Sequence, residues 1–105
     1  MIIKTFQTYS SGGNRKIKPN GKAVVFVHGA GMDGSIWQAQ TRALVKNNRT
    51  VFAIDLPGHG RSGGKALKNI EGMADWLKNF LDSLEILKPT IVGHSMGGLI
   101  ALDFA

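Results

Sequence analysis

A chain of 105 residues with 43% hydrophobic content has material for one small core, which excludes a disordered chain and leaves at most one compact domain. It contains no cysteine, so a disulfide framework and a thiolate zinc site are both excluded, and a reducing, cytoplasmic location is the expectation. The net charge of +6 raises nucleic acid as a partner, but Arg15, Lys16, Lys18 and Lys22 lie in a Gly/Asn/Pro-containing stretch without interleaved aromatics, so a solvated basic loop and no nucleic acid are expected.

Residues 1–9 lack the basic head and apolar run of a secretory signal, and no stretch approaches the ~20 apolar residues of a membrane helix, so no membrane contact is expected. Ile2, Ile3, Phe6 and Tyr9 alternate roughly as in an edge strand over 2–9, and Ser10, Ser11, Gly12, Gly13 and Asn14 read as the turn after it. Residues 23–27 form a valine-rich apolar run, the pattern of a parallel strand buried on both faces, which stops at His28-Gly29. From Ile36 onward, Trp37, Thr41, Leu44 and Val45 recur at helical spacing, with Asp33 or Ser35 available as the cap. Residues 50–54 read as a second buried strand, closed by Asp55-Leu56-Pro57-Gly58.

Asn69 then caps the clearest helix, whose stripe is Ile70, Met73, Ala74, Leu77, Phe80, Leu81 and Leu84, with Asp75, Lys78, Asn79 and Asp82 on the wet face. A third short strand is expected at 90–92 and a last helix from Leu99 to Ala105. Alternating strands and helices mean parallel strands with right-handed crossovers: an α/β fold, a mainly parallel sheet with helices on both faces in three layers. Functional loops in such sheets lie at the carboxyl ends of the strands, where this sequence puts its glycines and histidines.

Gly93-His94-Ser95-Met96-Gly97 matches G-x-S-x-G between an expected strand and an expected helix, the setting of a nucleophile elbow. So sharp a turn needs small residues on both sides of the serine, which Gly93 and Gly97 supply, and Gly98 is read as adding room for close helix packing. Ser95 would stand exposed at the positive end of the following helix. His28-Gly29-Ala30-Gly31 offers backbone amides toward the same place and looks like an oxyanion loop, with the amides of Ala30 and Met96 as the two donors, each worth roughly 3 to 4 kcal/mol of transition-state stabilisation. A loop that merely binds an anion is the alternative, although no Gly-x-Gly-x-x-Gly or Walker lysine accompanies it.

With Asp55-Leu56-Pro57-Gly58-His59-Gly60-Arg61-Ser62 between them, these motifs stand in an order and spacing that resembles the α/β-hydrolase family, serine-hydrolase or esterase type, over residues 22–105. The resemblance implies one partial domain over 1–105, with an edge strand and loop at 1–21 and the core, oxyanion loop and elbow at 22–105. It makes Ser95 the catalytic nucleophile and Ala30 and Met96 the oxyanion hole, supported by His28, Gly29, Gly31, Gly93, His94, Gly97 and Gly98. His59 and Arg61 fall to a shaping loop. Serine, where similar epoxide hydrolases and haloalkane dehalogenases have aspartate, points to ester, thioester, lactone or carbon–carbon bond hydrolysis of a small acyl substrate without metal or cofactor.

In the family the triad runs Ser, then Asp or Glu, then His, and the ten residues after Ser95 hold only Asp103 and no histidine. His28, His59 and His94 are all poorly placed as the base, and Asp33, Asp75, Asp82 and Glu85 read as caps or wet helix faces. The family strand order 1-2-4-3-5-6-7-8 would set the strand at 90–92 beside a sixth strand, so this segment reads as truncated after the elbow, weak or inactive alone. Its open sheet edge would take a completing C-terminal chain or a second copy, and a non-catalytic remnant acting through that edge is the alternative. Slow esterase activity from the amides alone is a third reading. Trp37 is expected in the core, while Leu56 and Met96 could either line the pocket or pack beneath it.

Overall fold

The valine-rich run becomes an interior strand of the sheet because successive residues face different apolar layers. The computed structural model describes residues 2–3, 8–11, 22–46, 50–60, 62–63 and 66–105. Its elements are β1 (Ile2–Ile3), β2 (Thr8–Ser11), β3 (Lys22–Val27), α1 (Gln38–Lys46), β4 (Val51–Ile54), α2 (Ile70–Ser83), β5 (Lys88–Gly93) and α3 (Met96–Phe104). The sheet order is β1-β2-β4-β3-β5. β4, β3 and β5 are parallel, in register Val27↔Ile54 and Val27↔Gly93, whereas β1 and β2 pair antiparallel and β2 runs antiparallel to β4.

Strand alternation assigns the layers. Ala23, Val25 and Val27 of β3, with Phe52 and Ile54 of β4, face the stripe of α2 and Ile100 of α3. Phe26, Val51 and Ala53 face the other way, toward Trp37, Leu44 and Val45 ahead of and within α1. The sheet is therefore covered on both faces, and the apolar stripe expected of α2 is the stripe that packs: Met73, Ala74, Leu77, Phe80 and Leu81 are buried. Asn69 accepts a hydrogen bond from the Gly72 amide at 2.7 Å, the expected cap. Asp33, rather than Ser35, is the acceptor before α1, bonded to the Ser35 amide at 2.8 Å at the start of a 3-10 turn, Gly34–Trp37.

Three boundaries differ from expectation. The single edge strand expected over 2–9 is two, β1 and β2, paired antiparallel with β1 outermost, and Ser10 and Ser11, expected in the turn, lie in β2 opposite Ile54 and Ala53, because the ladder to β4 overrides their preference for turns. β5 begins two residues early and includes Pro89, opposite Ala23; a proline fits because β5 pairs on one side only among the described residues. α3 begins three residues early, directly after Ser95, although Gly97 and Gly98 have poor helix propensity. Phe6, Gly12, Gly13, Asn14, Arg15, Lys16, Lys18 and Arg61, to which expectations attach, lie outside the described residues. Among the described residues no helix is long and apolar enough to cross a membrane.

Candidate active site

The carboxyl ends of β3, β4 and β5 meet at one place, and three loops leave from it. At the end of β5 the His94 amide still donates to the Val27 carbonyl at 3.1 Å, so the sheet ladder runs up to the residue before the turn. Ser95 then takes φ 55° and ψ −116°, and α3 starts at the next residue. A non-glycine residue so placed carries about 1 to 3 kcal/mol of strain, which its surroundings must hold.

Close backbone packing does the holding. A Cβ on Gly93 would sit 2.5 Å from the Gly98 amide nitrogen and closer still to the Gly97 carbonyl. A Cβ on Gly97 would sit 2.7 Å from the His28 carbonyl oxygen and closer still to that of Val27. Gly98 departs from the expectation: a Cβ there meets nothing nearer than the Gly93 carbonyl oxygen at 3.7 Å, so close packing does not require glycine at this position. The start of α3 thus rests on the end of β3 through Gly97 alone of this pair.

The loop after β3 lies against the turn. A Cβ on Gly29 would be 3.3 Å from both the Ser95 Cβ and the His94 carbonyl oxygen, which brings the His28-Gly29-Ala30-Gly31 segment and the elbow into contact. Gly31 has φ 71°, a conformation suited to glycine, and the Met32 amide donates to the Gly29 carbonyl at 3.2 Å to close the bend. At the first turn of α3, the amides of Gly97, Gly98 and Leu99 donate to the carbonyls of His94, Ser95 and Ser95. The Met96 and Ala30 amides donate to no described residue. The Ser95 side chain is exposed and caps nothing.

The three histidines take three different places. His28 is fully buried; its Nε2 accepts the Leu56 N–H at 2.9 Å, and Nδ1 lies 2.7 Å from the Gly29 carbonyl oxygen. A ring nitrogen that accepts must be bare, so the proton sits on Nδ1 and the imidazole is neutral. Burial pushes the His28 pKa below the usual histidine value, with the His59 ring adding to that direction and the Gly29 bond, Asp55 and Asp33 opposing it. His59 is half-buried, its Nδ1 3.1 Å from the Pro57 carbonyl oxygen and its ring 5.1 Å from that of His28. His94 is exposed and sets its ring edge-on to Trp37 at 6.4 Å.

Sequence reasoning missed Asp55. It is buried, accepts the Gly34 N–H at 2.6 Å through Oδ1, and its backbone carbonyl accepts the Ser62 hydroxyl. A Cβ on Gly60 would sit 2.7 Å from the Asp55 carboxyl carbon and 2.8 Å from the Asp33 Cβ, so the loop after β4 folds over this side chain. The one available signal was its position, an acidic residue at the carboxyl end of a buried strand. Trp37 stacks on Phe26 at 4.8 Å, as expected of a core residue, while Leu56 is buried in the layer beneath α2 and Met96 packs partly against that layer.

The family model for the alpha/beta hydrolase fold matches residues 22–105. The chain is 41% identical over 87 residues to the dihydrolipoyllysine-residue acetyltransferase component of the acetoin cleaving system of Pseudomonas putida, covering 81% of this chain and 23% of that protein. It is 36% identical over 90 residues to the pimeloyl-[acyl-carrier protein] methyl ester esterase of Vibrio cholerae, covering 86% of this chain and 33% of that protein. Among solved structures, a marine microorganism esterase superposes with a TM-score of 0.75 at 30% identity, over 92% of this chain and 34% of the other. The enol-lactonase of Burkholderia xenovorans LB400 gives 0.75 at 29% identity, over 93% and 36%. The chain therefore spans between about a quarter and a little over a third of the length of these relatives. With the layered sheet, the glycine-flanked turn and the family match in agreement, the chain belongs to the alpha/beta hydrolase fold family.

Proposed function

We propose that this chain carries the nucleophile and oxyanion donors of a serine hydrolase acting on a small acyl substrate, an ester or a related carbonyl compound. The observation that carries the reading is the Ser95 backbone, held at φ 55° by Gly93 and Gly97, with Ser95 exposed beside a helix-terminal amide that donates to no described residue. Ser95 Oγ attacks the carbonyl carbon as its proton passes to a general base, the Met96 and Ala30 amides receive the oxyanion, the base returns the proton to the departing group, and water, giving its proton to the same base, releases the acyl group and restores Ser95. None of the three histidines is hydrogen-bonded to Ser95, so none of them is assigned as the proton acceptor. The esterase and lactonase neighbours support the reaction class.

The test is covalent labelling of the native protein with a fluorophosphonate, followed by mass spectrometry of the peptide containing Ser95. Labelling at Ser95 that disappears in Ser95→Ala supports the proposal; an unreactive Ser95 in the native protein rejects it. A second reading, a non-catalytic chain acting through a partner, draws on the exposed Leu87 just before β5, the exposed Leu99 and Leu102 of α3, and β5 itself, which pairs with β3 alone among the described residues. It predicts an unreactive Ser95 and a complex larger than the chain on size-exclusion.

A further inference from the structure

The peptide unit joining Gly29 to Ala30 links a buried histidine to a proposed oxyanion donor. That unit is planar and trans, so its carbonyl and its N–H point in opposite directions. The Gly29 carbonyl is held by two donors, His28 Nδ1 at 2.7 Å and the Met32 amide at 3.2 Å. Whatever fixes that oxygen fixes the direction of the Ala30 N–H. We propose that His28 is a positioning residue, aiming the Ala30 amide at the oxyanion site and tying that aim to Leu56 in the loop after β4.

The proposal rests on the acyl-transfer reading for its consequence, though not for its geometry. Both ring nitrogens are used in opposite senses: Nδ1 gives a proton to Gly29 and Nε2 takes one from Leu56. Only the neutral Nδ1-protonated ring can do both. A second proton would set an Nε2–H against the Leu56 N–H, donor facing donor, at a site with no exposure to water. The ring would have to leave its place and the Gly29 oxygen would lose one of its two holders. The groups that face it are the tilted His59 ring at 5.1 Å, which opposes protonation, and the Asp55 and Asp33 carboxylates, which favour it. Burial outweighs the carboxylates, so the aim is kept at neutral pH and lost in acid.

The experiment combines nitrogen NMR of the native protein, labelled with 15N at histidine and along the backbone, with the pH profile of Ser95 phosphonylation. Expected are a protonated Nδ1 and a bare Nε2 at neutral pH, and a single acid midpoint shared by His28, the Leu56 amide and the Ala30 amide. His28→Ala should slow phosphonylation roughly tenfold to a hundredfold, short of the ~10²- to 10³-fold of a donor removed outright. His28→Asn, whose side-chain N–H can replace Nδ1, should recover much of that loss and show no acid limb at the His28 midpoint. An Ala30 amide that ignores the His28 midpoint, or a protonated Nε2 at neutral pH, overturns the proposal. If Ser95 is inert at every pH in every variant, the acyl-transfer reading fails, while the shared or separate midpoints of His28 and Ala30 still decide the positioning claim.

Discussion

Gly97 and Gly98 are adjacent, both helical and chemically identical, yet the packing predicts opposite outcomes for the same substitution. A methyl group on Gly97 would lie 2.7 Å from the His28 carbonyl oxygen and nearer still to that of Val27, against the ~3.3 Å at which a carbon and an oxygen normally meet. The first turn of α3 would have to rise from the end of β3, by about 1 Å. Overpacking of this kind costs about 1 to 3 kcal/mol, and weakening the bond from His94 N–H to the Val27 oxygen adds about 1 kcal/mol. Gly97→Ala should therefore destabilise by about 3 kcal/mol, lowering the denaturant midpoint. A methyl group on Gly98 meets nothing nearer than 3.7 Å, so Gly98→Ala should stabilise by about 0.5 to 1 kcal/mol, the helix-propensity gain. Urea denaturation followed by circular dichroism measures both. The reasoning is refuted if Gly97→Ala lies within about 0.5 kcal/mol of the parent, or if the two variants fall together.

Three further outcomes follow from individual contacts. Asp55→Ala leaves the buried Gly34 N–H without its acceptor and should cost about 2 to 3 kcal/mol by denaturant titration; full stability would show that the bond contributes nothing. Glu85 has φ 58° and ends α2 with its amide on the Asp82 carbonyl and that of Ile86 on the Leu81 carbonyl, so Glu85→Gly should raise stability by about 0.5 to 1 kcal/mol and Glu85→Val should lower it. Because burial lowers the His28 pKa in the folded state, the unfolded chain binds the proton more readily. Stability should be full above the ordinary value of 6.5 and fall as pH drops below it, with a slope of at most about 1.4 kcal/mol per pH unit that disappears in His28→Gln. Denaturation curves from pH 5 to pH 8, about 0.5 unit apart, test the sign.

What could be read from the sequence was whatever depends on repeating patterns. The α2 stripe and its Asn69 cap were legible because both are local, and β3 and β4 because runs of β-branched residues buried on both faces leave a continuous apolar signature. The turn at Ser95 was legible through its spacing, since the glycines two residues to either side are a local steric requirement. Contacts between distant segments were not. Nothing near Asp55 in the sequence indicates that its carboxylate will meet the amide of Gly34, and nothing near Glu85 replaces the glycine that usually marks a left-handed helix end. The roles of Gly97 and Gly98 likewise separate only when the end of β3 is in place beneath them.

Main-chain groups hold the site region together, and that explains which residues its sequence must specify. Gly93 and Gly97 matter through the side chains they lack, and His28 and Asp55 through the main-chain groups they bind: Leu56 and Gly34 in loops they do not belong to, and Gly29 in the loop of His28 itself. Ser95 cannot relax from φ 55° without moving α3, and α3 cannot move without parting from the end of β3. The loop bearing Ala30 is in turn fixed to the loop after β4 through the two nitrogens of His28. Strain at Ser95 is thus opposed by the end of β3 beneath Gly97 and by the loop after β3 against the turn, not by any single bond. A proposed nucleophile and its proposed oxyanion donors can keep their relative placement in this way while none of the residues that fix it need touch a substrate.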